Sequence, residues 1–521
     1  MRKILHILFF AFLIICFSVN VYAETIVTSK EQLNDTGMKV GVMTGTAAMF
    51  SLEKVLPEAE EVYLDDLPTA IESVRQGKID ALVYDRMQLE YAIESGAEGV
   101  HLIEEDLDEG VPIAVGISPV TSIPDFTDKL NKFISEIKAD GTLDDMYKRW
   151  VILKEEKMPD IESPKDPGFE LVVGTTGLAP PYSYYIGEDI SGYDIELAHR
   201  FAAWLGADLK FMIYDYRSII NAAVSGDVDC IMANLNVTSE RKESIDFSDP
   251  LYQEKVGILV RDEEQAETGG TDAISASDDK KIGFPGSIAE SFNKTFIRES
   301  RWKMFVIGIL NTLIITVLSI LFGTVLGFAV FYACRNGNVI ANKVTKFMLW
   351  LVQGMPVIVL LMILYYIIFA KASIGGMAVA VIGFTLIFAA AVFGLLKIGV
   401  GAVDNGQYEA AYALGHSYRD TFFKIILPQA LPHVLPAYRG EIVGLIKATS
   451  VVGYIAVQDL TKMGDIVRSR TYEAFFPLIA ISVIYFVLEW LIGIVVSHME
   501  LKYDPKQRTK EQILKGVKEN D

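Results

Sequence analysis

Long apolar segments dominate the C-terminal part of the chain. Four of them have the length and hydrophobicity of a helix that crosses a bilayer: 305–332, 347–369, 377–396 and 475–496. A further apolar segment, 434–457, is interrupted by Arg439, Glu441 and Lys447. Charged groups inside a span usually face a pathway or a partner helix, because exposing them to lipid is costly. The pattern predicts an all-α transmembrane domain of about five helices, in which the interrupted segment lines a pathway.

The N-terminal part follows a different pattern. Leu171, Val172 and Val173 form a strand-like apolar run after a linker rich in proline and charge. Apolar residues then recur on one face at helical spacing: Ile195, Leu197, Ala198, Phe201 and Leu205. Strands that alternate with amphipathic helices predict an α/β fold.

Charge divides the chain in the same way. The 521 residues carry a formal net charge of −20; acidic residues concentrate before residue 300, and the sequence after it is net basic. This break predicts a domain boundary near residue 300, in a chain long enough for two or three domains. The acidity argues against nucleic acid as a partner, because a phosphate-binding surface needs clustered lysine and arginine.

The first residues are typical of a secretion signal. Arg2 and Lys3 precede an apolar run, 4–17, and the small residue Ala23 follows it. This pattern predicts a signal peptide, 1–23, cleaved after Ala23, with a retained membrane anchor as the alternative. In either case the acidic part that follows is expected to be exported.

The cysteines and the absence of a nucleotide-binding motif limit which chemical sites the sequence can form. Cys16 lies in the predicted signal, Cys230 in a predicted core strand and Cys334 at a predicted membrane exit. This distribution predicts no disulfide and no metal site in the exported part, and no cofactor is expected. The sequence contains no Gly-x4-Gly-Lys-[Ser/Thr] phosphate loop, so ATP hydrolysis is expected from another polypeptide.

The most specific motif is EAAYALGHSYRDTFFKIILP, residues 409–428. A helix that starts at Glu409 is expected to stop at Gly415, as helices often do at glycine. A second helix is expected to end before Pro428. Such a helix-turn-helix between two spans presents a compact knob to a soluble partner, whereas an ordinary amphipathic loop would not require this spacing.

This segment resembles the EAA loop of permease subunits from bacterial ABC importers. ESFNKTFIRESRWKMFVIGILNTLIIT and GLIKATSVVGYIAVQDL resemble the polar amino acid branch of that family, and the likeness covers about residues 290–503. One departure is VQGMP, where Gln353 and Met355 replace the family's arginine and threonine. The resemblance implies an ABC ATPase subunit docked on the loop and a second permease copy, in a homodimer. The docking residues that it implies are Glu409, Ala410, Ala411, Gly415, Leu427 and Pro428.

The exported part resembles amino-acid-binding proteins of the periplasmic type. VVGTTGLAPPYSYY, GYDIELAHRFAAWLG and NLNVTSERKESIDFSDP resemble the first lobe of that bilobal α/β fold. MKVGVMTGTAAMF and AIESVRQGKIDALVYDR resemble the second lobe, VPIAVGI the returning hinge strand, and LNKFISEIKADGTLDDMYKRW the C-terminal helices. The second-lobe sequences come first, so the chain holds either one circularly permuted domain or two truncated domains in tandem. One permuted domain is favoured, because every expected element occurs once and natural termini often lie close together.

The predicted organisation follows from these resemblances. It comprises a signal peptide 1–23, second lobe and C-terminal helices 24–150, linker 151–168, first lobe 169–262, linker and interfacial helix 263–300, permease domain 301–503 and cytoplasmic tail 504–521. The resemblance implies a multi-pass protein of the inner (cytoplasmic) membrane, with the binding domain on the extracytoplasmic face.

The resemblance also assigns ligand-binding residues. An amino acid zwitterion needs donors for its carboxylate and an acceptor for its ammonium group, and a bidentate arginine is the usual carboxylate partner. By resemblance, Arg241 holds the carboxylate and Asp85 the ammonium; the plainer alternatives are a surface charge and a helix cap. The other residues assigned to the site are Thr46, Asn234, Asn236, Tyr182 and Tyr216, the last with core packing as its alternative.

The predicted function is import of an amino acid, polar and glutamine-like, through the chain's own transmembrane domain. An amino-acid-gated channel is one alternative, and SVVGYIA resembles a potassium filter, but the closing glycine is missing and a channel has no use for an ATPase-docking loop. A sensor is the other alternative, for which the sequence shows no output domain. An enzyme is disfavoured, because no nucleophile–base set stands out.

Overall fold

The computed structural model describes residues 27–262, 284–335, 339–369, 374–473 and 475–503. The predicted signal peptide, most of the predicted linker 263–300 and the predicted tail lie outside the described residues. The chain forms two compact units, Met1–Val111 with Gln253–Glu290 and Pro112–Tyr252 with Ser291–Asp521.

Short strands and helices alternate before residue 263. The strands are β1 (Lys39–Met43), β2 (Glu60–Leu64), β3 (Ala81–Asp85), β4 (Val100–Leu102), β5 (Asp108–Ile113), β6 (Gly116–Ile117), β7 (Glu170–Thr175), β8 (Leu178–Ala179), β9 (Ser183–Ile186), β10 (Asp189–Ser191), β11 (Asp208–Ile213), β12 (Cys230–Ile231), β13 (Asp246–Phe247) and β14 (Tyr252–Arg261). The helices are α1 (Ala47–Val55), α2 (Leu67–Arg75), α3 (Arg86–Glu94), α4 (Phe126–Ala139), α5 (Thr142–Tyr147), α6 (Tyr193–Leu205), α7 (Ile219–Ser225) and α8 (Ser239–Lys242).

The first unit is built on a sheet with strand order β2-β1-β3-β14-β4. β1 runs parallel to β2 and β3, whereas β14 is antiparallel to β3 and β4. Val40, Val42, Val83 and Ile258 are buried between this sheet and its helices. Packing of these β-branched side chains fixes the register, because a slip by one residue would move them to the opposite face of the sheet.

The α/β part of the second unit has a sheet with strand order β11-β7-β12-β6-β13. β7 is parallel to β11 and β12, and β6 is antiparallel to β12 and β13. Helix α4 packs on α6, since the rings of Phe126 and Phe133 lie 5.6 and 5.2 Å from that of Phe201. Cys230 is buried in β12, as predicted, and burial raises the pKa of its thiol.

Helices make up the described part of the chain after residue 283. They are α9 (Phe284–Phe292), α10 (Trp302–Arg335), α11 (Val339–Gly354), α12 (Val357–Ile363), α13 (Gly376–Gly401), α14 (Asn405–Ala413), α15 (Tyr418–Asp420), α16 (Leu427–Ala448), α17 (Leu460–Thr471) and α18 (Phe476–Tyr503). Tighter or wider helical turns at 293–300, 364–368, 421–426 and 449–455 adjoin them.

Three of these helices are long and apolar enough to cross a membrane: α10, α13 and the stretch Phe476–Ile494 of α18. Two bent pairs also qualify if each is one span, Asn342–Gly354 with Val357–Ile368 and Tyr418–Ile455 with Leu460–Thr471. The described residues therefore hold up to five spans, as predicted. The first pair bends by 112° at Pro356, which can neither donate a backbone hydrogen bond nor leave the preceding residue helical.

Small residues allow the helices α10 and α13 to pack closely. A Cβ atom on Gly327 would lie only 2.6 Å from the carbonyl oxygen of Ala389. Glycine is therefore required at this contact, as it is in many close helix pairs of membrane proteins.

Candidate functional site

Loops that carry predicted ligand residues meet at one edge of the sheet in the second unit. Tyr216 follows β11, and Asn234 and Asn236 follow β12. Both strands run parallel to β7, which lies between them. In open α/β sheets this carboxyl edge is where ligands usually bind.

Arg241 joins this group in a defined orientation. Its guanidinium donates to the backbone carbonyl oxygen of Asn236 at 2.8 Å and to the hydroxyl of Tyr216 at 3.0 Å. The guanidinium carbon lies 5.4 Å from the centre of the Tyr216 ring, within range of a cation–π attraction. The side chain is half-buried, so Arg241 is not simply a solvated surface charge.

Asn234 is held by a buried carboxylate. Its backbone has φ = 48°, in the left-handed region that asparagine tolerates better than most residues. Its N–H donates to Asp194 at 2.6 Å, and its side-chain oxygen accepts from the Tyr252 hydroxyl at 2.8 Å. Burial raises the pKa of Asp194 to about 7. Asp194 thus fixes the loop that brings Asn236 to Arg241, a role that no sequence motif indicated.

Tyr182 lies in the aromatic core beside this cluster. Its side chain is fully buried and stacks on Tyr252, with ring centres 5.8 Å apart. Tyr193 meets it edge-on at 6.3 Å. In this structure Tyr182 packs within this group of aromatic rings, and its predicted contact with a ligand stays a prediction.

The first unit holds the other predicted ligand residues, Asp85 and Thr46. Asp85 ends β3 and Thr46 follows the neighbouring parallel strand β1, so both lie at the carboxyl edge of that sheet. Asp85 is 4% exposed and accepts a hydrogen bond from the side chain of Gln88 at 3.1 Å. It occupies the N-cap position of α3 without a capping hydrogen bond from its side chain, which argues against the helix-cap alternative. The Thr46 hydroxyl donates to the carbonyl of Met43 at 2.8 Å.

The predicted coupling segment, 409–428, starts within α14. The predicted helix stop is confirmed, since α14 ends just before Gly415, which has φ = 81°. The second predicted stop is wrong, because helical turns continue from Tyr418 into α16, where Pro428 is the second residue. The wider helical turns at 421–426 directly precede Pro428, and a residue without an N–H is accommodated where the regular hydrogen-bond pattern of a helix changes.

Several predicted docking residues are exposed on this segment: Glu409, Ala410, Gly415 and Pro428, whereas Leu427 is half-buried and Ala411 is buried. Arg335, the last residue of α10, is surrounded by two rings of the segment and by the ring of Tyr408, which precedes it. Its guanidinium carbon lies 4.1, 4.6 and 5.4 Å from the ring centres of Phe422, Tyr418 and Tyr408. These cation–π contacts tie the end of the first span to the segment, a role that sequence reasoning did not identify.

Some charged residues of α16 face α18, and one is exposed on the helix surface. Lys447 forms an ion pair with Glu489 of α18 at 2.9 Å. Arg439 and Glu489 line a cavity between α16 and α18, together with Trp490, and Glu441 is exposed on the helix surface. Among the residues that the structure describes, no cluster of histidine, cysteine or carboxylate side chains could hold a metal ion.

Comparison with known proteins covers both parts of the chain. Residues 171–434, half of the sequence, match the bacterial extracellular solute-binding proteins, family 3. An L-cystine transport system permease protein of Bacillus subtilis is 32% identical over 195 residues, which is 35% of this chain and 82% of the relative. A Rickettsia felis permease, whose name assigns it to a glutamine transport system, is 32% identical over 199 residues, 37% of this chain and 90% of the relative.

The chain belongs to the amino acid ABC transporter permeases and carries a solute-binding domain.

The permease is also similar to a solved structure of an amino acid ABC transporter with histidines. The two share 26% identity over 42% of this chain and 99% of the other, with a TM-score of 0.37. The family match and the permease relatives confirm the expected family. The sheets and the long apolar helices described above agree with the expected fold class, an α/β binding fold followed by a helical membrane domain.

Proposed function

We propose that this permease is the membrane subunit of an importer that carries its own receptor. It binds a polar, glutamine-like amino acid outside the cell and passes it through its own helices, while a separate ABC ATPase drives translocation. The presence of a solute-binding domain and a permease domain in one chain supports this proposal. Relatives whose names specify glutamine and L-cystine transport support the ligand class.

The observation that carries the proposal is the orientation of Arg241. Two acceptors, Asn236 and Tyr216, hold a half-buried guanidinium at the carboxyl edge of a parallel sheet. A planar guanidinium positioned in this way can bind a carboxylate with two parallel hydrogen bonds. The α-carboxylate of an amino acid is the ligand group that we propose for it.

The proposed partner for the ligand's ammonium group is Asp85. Its carboxylate is buried at the carboxyl edge of the other sheet. A cationic ligand would offset the free-energy cost of burying this negative charge. Thr46 would add a hydroxyl from the same edge, and Asn234, Tyr216 and Tyr182 would complete the site.

We further propose that the binding domain is one circularly permuted domain. Each sheet includes a strand from a distant segment: β14 falls in the predicted first-lobe range, 169–262, but lies in the second-lobe sheet, and β6 falls in the predicted range 24–150 but lies in the first-lobe sheet. In two truncated tandem domains, each sheet would instead be built from strands of one continuous stretch of sequence. This proposal retains the domain divisions predicted from the sequence, except that it assigns β14 to the second lobe and β6 to the first.

The proposed docking site for the ATPase is the segment 409–428. Its exposed residues, Glu409 and Ala410 among them, end at a glycine turn, and Arg335 ties the segment to the first span. Coupling to a soluble subunit needs a segment held firmly by the membrane helices, and these contacts supply that support.

A second copy of the permease completes the proposed assembly. Arg439 and Glu441 are exposed on α16, where contact with lipid would be costly. A homodimer that encloses an aqueous pathway would remove that cost. We place the protein in the inner membrane with its binding domain outside the cell, exported by the segment 1–23 as a cleaved signal or a retained anchor.

The test is calorimetric titration of the purified full-length protein with L-glutamine and then with the other common amino acids. The proposal predicts one site per chain, and loss of binding in Arg241→Ala. Lys242→Ala, an exposed cation next to Arg241, is the matched control and should bind normally. Two sites per chain would favour tandem domains, and no binding of any amino acid would refute the proposed ligand class.

A further inference from the structure

One loop of the first lobe contacts both the candidate ligand cluster and the membrane helices. It comprises residues 214–217 and connects β11 to α7. Its ends are fixed, because the N–H of Tyr214 donates to the carbonyl of Thr175 at 2.9 Å and the N–H of Ser218 to the carbonyl of Asp215 at 2.9 Å. We therefore expect its four residues to move together.

Two aromatic contacts attach this loop to the membrane helices. Tyr214 is fully buried, and its hydroxyl lies 3.3 Å from that of Tyr365, which follows α12. The guanidinium carbon of Arg217 lies 5.5 Å from the centre of the Tyr454 ring. These contacts place Asp215, between them in the sequence, against the same helices.

Asp215 forms an ion pair with a buried lysine. Lys462, near the start of α17, is 3% exposed, and its Nζ lies 3.6 Å from a carboxylate oxygen of Asp215. Among the described residues this ammonium group has no hydrogen-bond partner, and Asp215 is the carboxylate that pairs with it. A buried ammonium group is costly unless a charge compensates it. The membrane part thus depends on the first lobe to compensate Lys462.

Tyr216, the remaining residue of the loop, accepts a hydrogen bond from Arg241 at 3.0 Å. A carboxylate that binds Arg241 competes with the hydroxyl of Tyr216 and the carbonyl of Asn236, which accept hydrogen bonds from its guanidinium. Ligand binding would therefore weaken the hydrogen bond from Arg241 to Tyr216 and allow the loop to shift. Because Asp215 lies in the same loop, the shift would alter its ion pair with Lys462.

We propose that the loop 214–217 transmits ligand capture in the first lobe to the membrane helices, through the contact between Asp215 and Lys462. This inference rests on the proposed function, because it concerns how the proposed ligand acts on transport. Coupling between two sites requires an element whose state both of them bias. The loop meets this requirement. Tyr216 contacts Arg241, and the other three residues of the loop contact the membrane helices. Asp215 and Lys462 act as positioning residues.

A second ion pair between the same two regions supplies the matched control. Glu188 of the first lobe lies 3.3 Å from Lys303 of α10, but the two side chains are 48% and 45% exposed. Water screens such a pair, so it contributes little. It is also separate from the candidate ligand cluster.

The experiment uses the full-length protein with its ABC ATPase in lipid nanodiscs and L-glutamine as the probe. ATP hydrolysis is measured with and without L-glutamine, and affinity is measured by calorimetry on the same samples. Lys462→Met removes the charge and keeps a long apolar side chain. We expect the stimulation by L-glutamine to fall about tenfold or more, with basal hydrolysis unchanged and affinity within about threefold of wild type.

Two further variants keep the test independent of one substitution. Asp215→Asn should lose stimulation as Lys462→Met does, and the double variant should be no worse than either single one, because both remove the same contact. Gly453→Ala would place a Cβ atom 3.1 Å from a carboxylate oxygen of Asp215, and it should reduce stimulation in the same direction. Lys303→Met should change stimulation less than about twofold.

The possible outcomes separate this inference from the function on which it rests. Full stimulation in Lys462→Met, an equal loss in Lys303→Met, or additive losses in the double variant would overturn the inference. A parallel fall in affinity would overturn it too, since that result assigns the pair a merely structural role. If the wild-type protein responds to neither L-glutamine nor any other amino acid, the proposed function fails, and the inference fails with it.

Discussion

The two halves of the binding domain differ in what holds their candidate ligand residues. In the first lobe, Arg241 and Tyr216 belong to the compact unit that also contains the membrane helices, and the loop next to them contacts Tyr365 and Lys462. In the second lobe, Asp85 is held by contacts within its own unit. In the proposed function both lobes recognise the ligand, and the contacts of the first lobe suggest that this lobe reports ligand binding to the membrane helices.

The largest effect that we predict tests the role of the second lobe in recognition. Asp85→Ala should weaken binding of L-glutamine by about 2–5 kcal/mol, about 30-fold or more, because the ligand's ammonium loses its charged partner. Calorimetry on the full-length protein measures this change, and basal ATP hydrolysis should stay normal. Glu94→Ala, an exposed carboxylate on α3, is the control. Normal affinity in Asp85→Ala would show that the second lobe does not supply the ammonium partner.

The next prediction tests whether the segment before the linker belongs to the first lobe. Glu196 of α6 is fully buried and accepts hydrogen bonds from Arg149 at 2.8 Å, Trp150 at 2.6 Å and Arg200 at 2.7 Å. Glu196→Ala should destabilise the binding domain by about 3 kcal/mol, because it leaves a buried donor and two cations without their acceptor.

Thermal unfolding of the full-length protein measures this effect. Glu170→Ala, which breaks an exposed pair with Lys210, should cost less than about 1 kcal/mol. Equal stability of Glu196→Ala and Glu170→Ala would indicate that residues 149–150 contribute nothing to the first lobe.

Sequence patterns predicted the elements well and the long-range contacts poorly. Apolar runs located the spans, but the 112° bend at Pro356 required the structure, because hydropathy does not report direction. Helical turns continue through Pro428, because the wider turns at 421–426 lead directly into α16. Asp194 and the pair formed by Asp215 and Lys462 could not be predicted, because folding joins residues that share no local motif.

A smaller effect is expected on the cytoplasmic side of the proposed assembly. Arg335→Met should remove the cation–π contacts with Phe422, Tyr418 and Tyr408, which are worth about 1–2 kcal/mol together. We expect co-purification of the ATPase to fall, while affinity for L-glutamine stays unchanged. Lys346→Met, an exposed cation of α11 outside the segment, controls for loss of charge. A change in ligand affinity would contradict the separation of the two sites.

A further prediction concerns the dependence of stability on pH. Burial raises the pKa of Asp194 to about 7, so the folded state holds this proton more tightly than the unfolded state does. The contribution of Asp194 to stability is complete below the ordinary carboxyl pKa of about 4 and is lost as pH rises to about 7.

Thermal unfolding at several pH values measures this dependence. Asp194→Asn should flatten the fall in stability between pH 4 and pH 7, and the difference between variant and wild type isolates Asp194 from Asp227, whose pKa burial raises to about 6. Identical slopes for variant and wild type would show that Asp194 does not titrate in this range.

Uptake in proteoliposomes tests the proposed function most directly. Full-length protein and its ABC ATPase are reconstituted with ATP inside and radiolabelled L-glutamine outside, and no separate binding protein is added. We predict uptake by the wild-type protein and loss of uptake in Arg241→Ala, whereas Lys242→Ala should transport normally. Uptake that requires an added soluble binding protein, or that survives in Arg241→Ala, would contradict an importer that carries its own receptor.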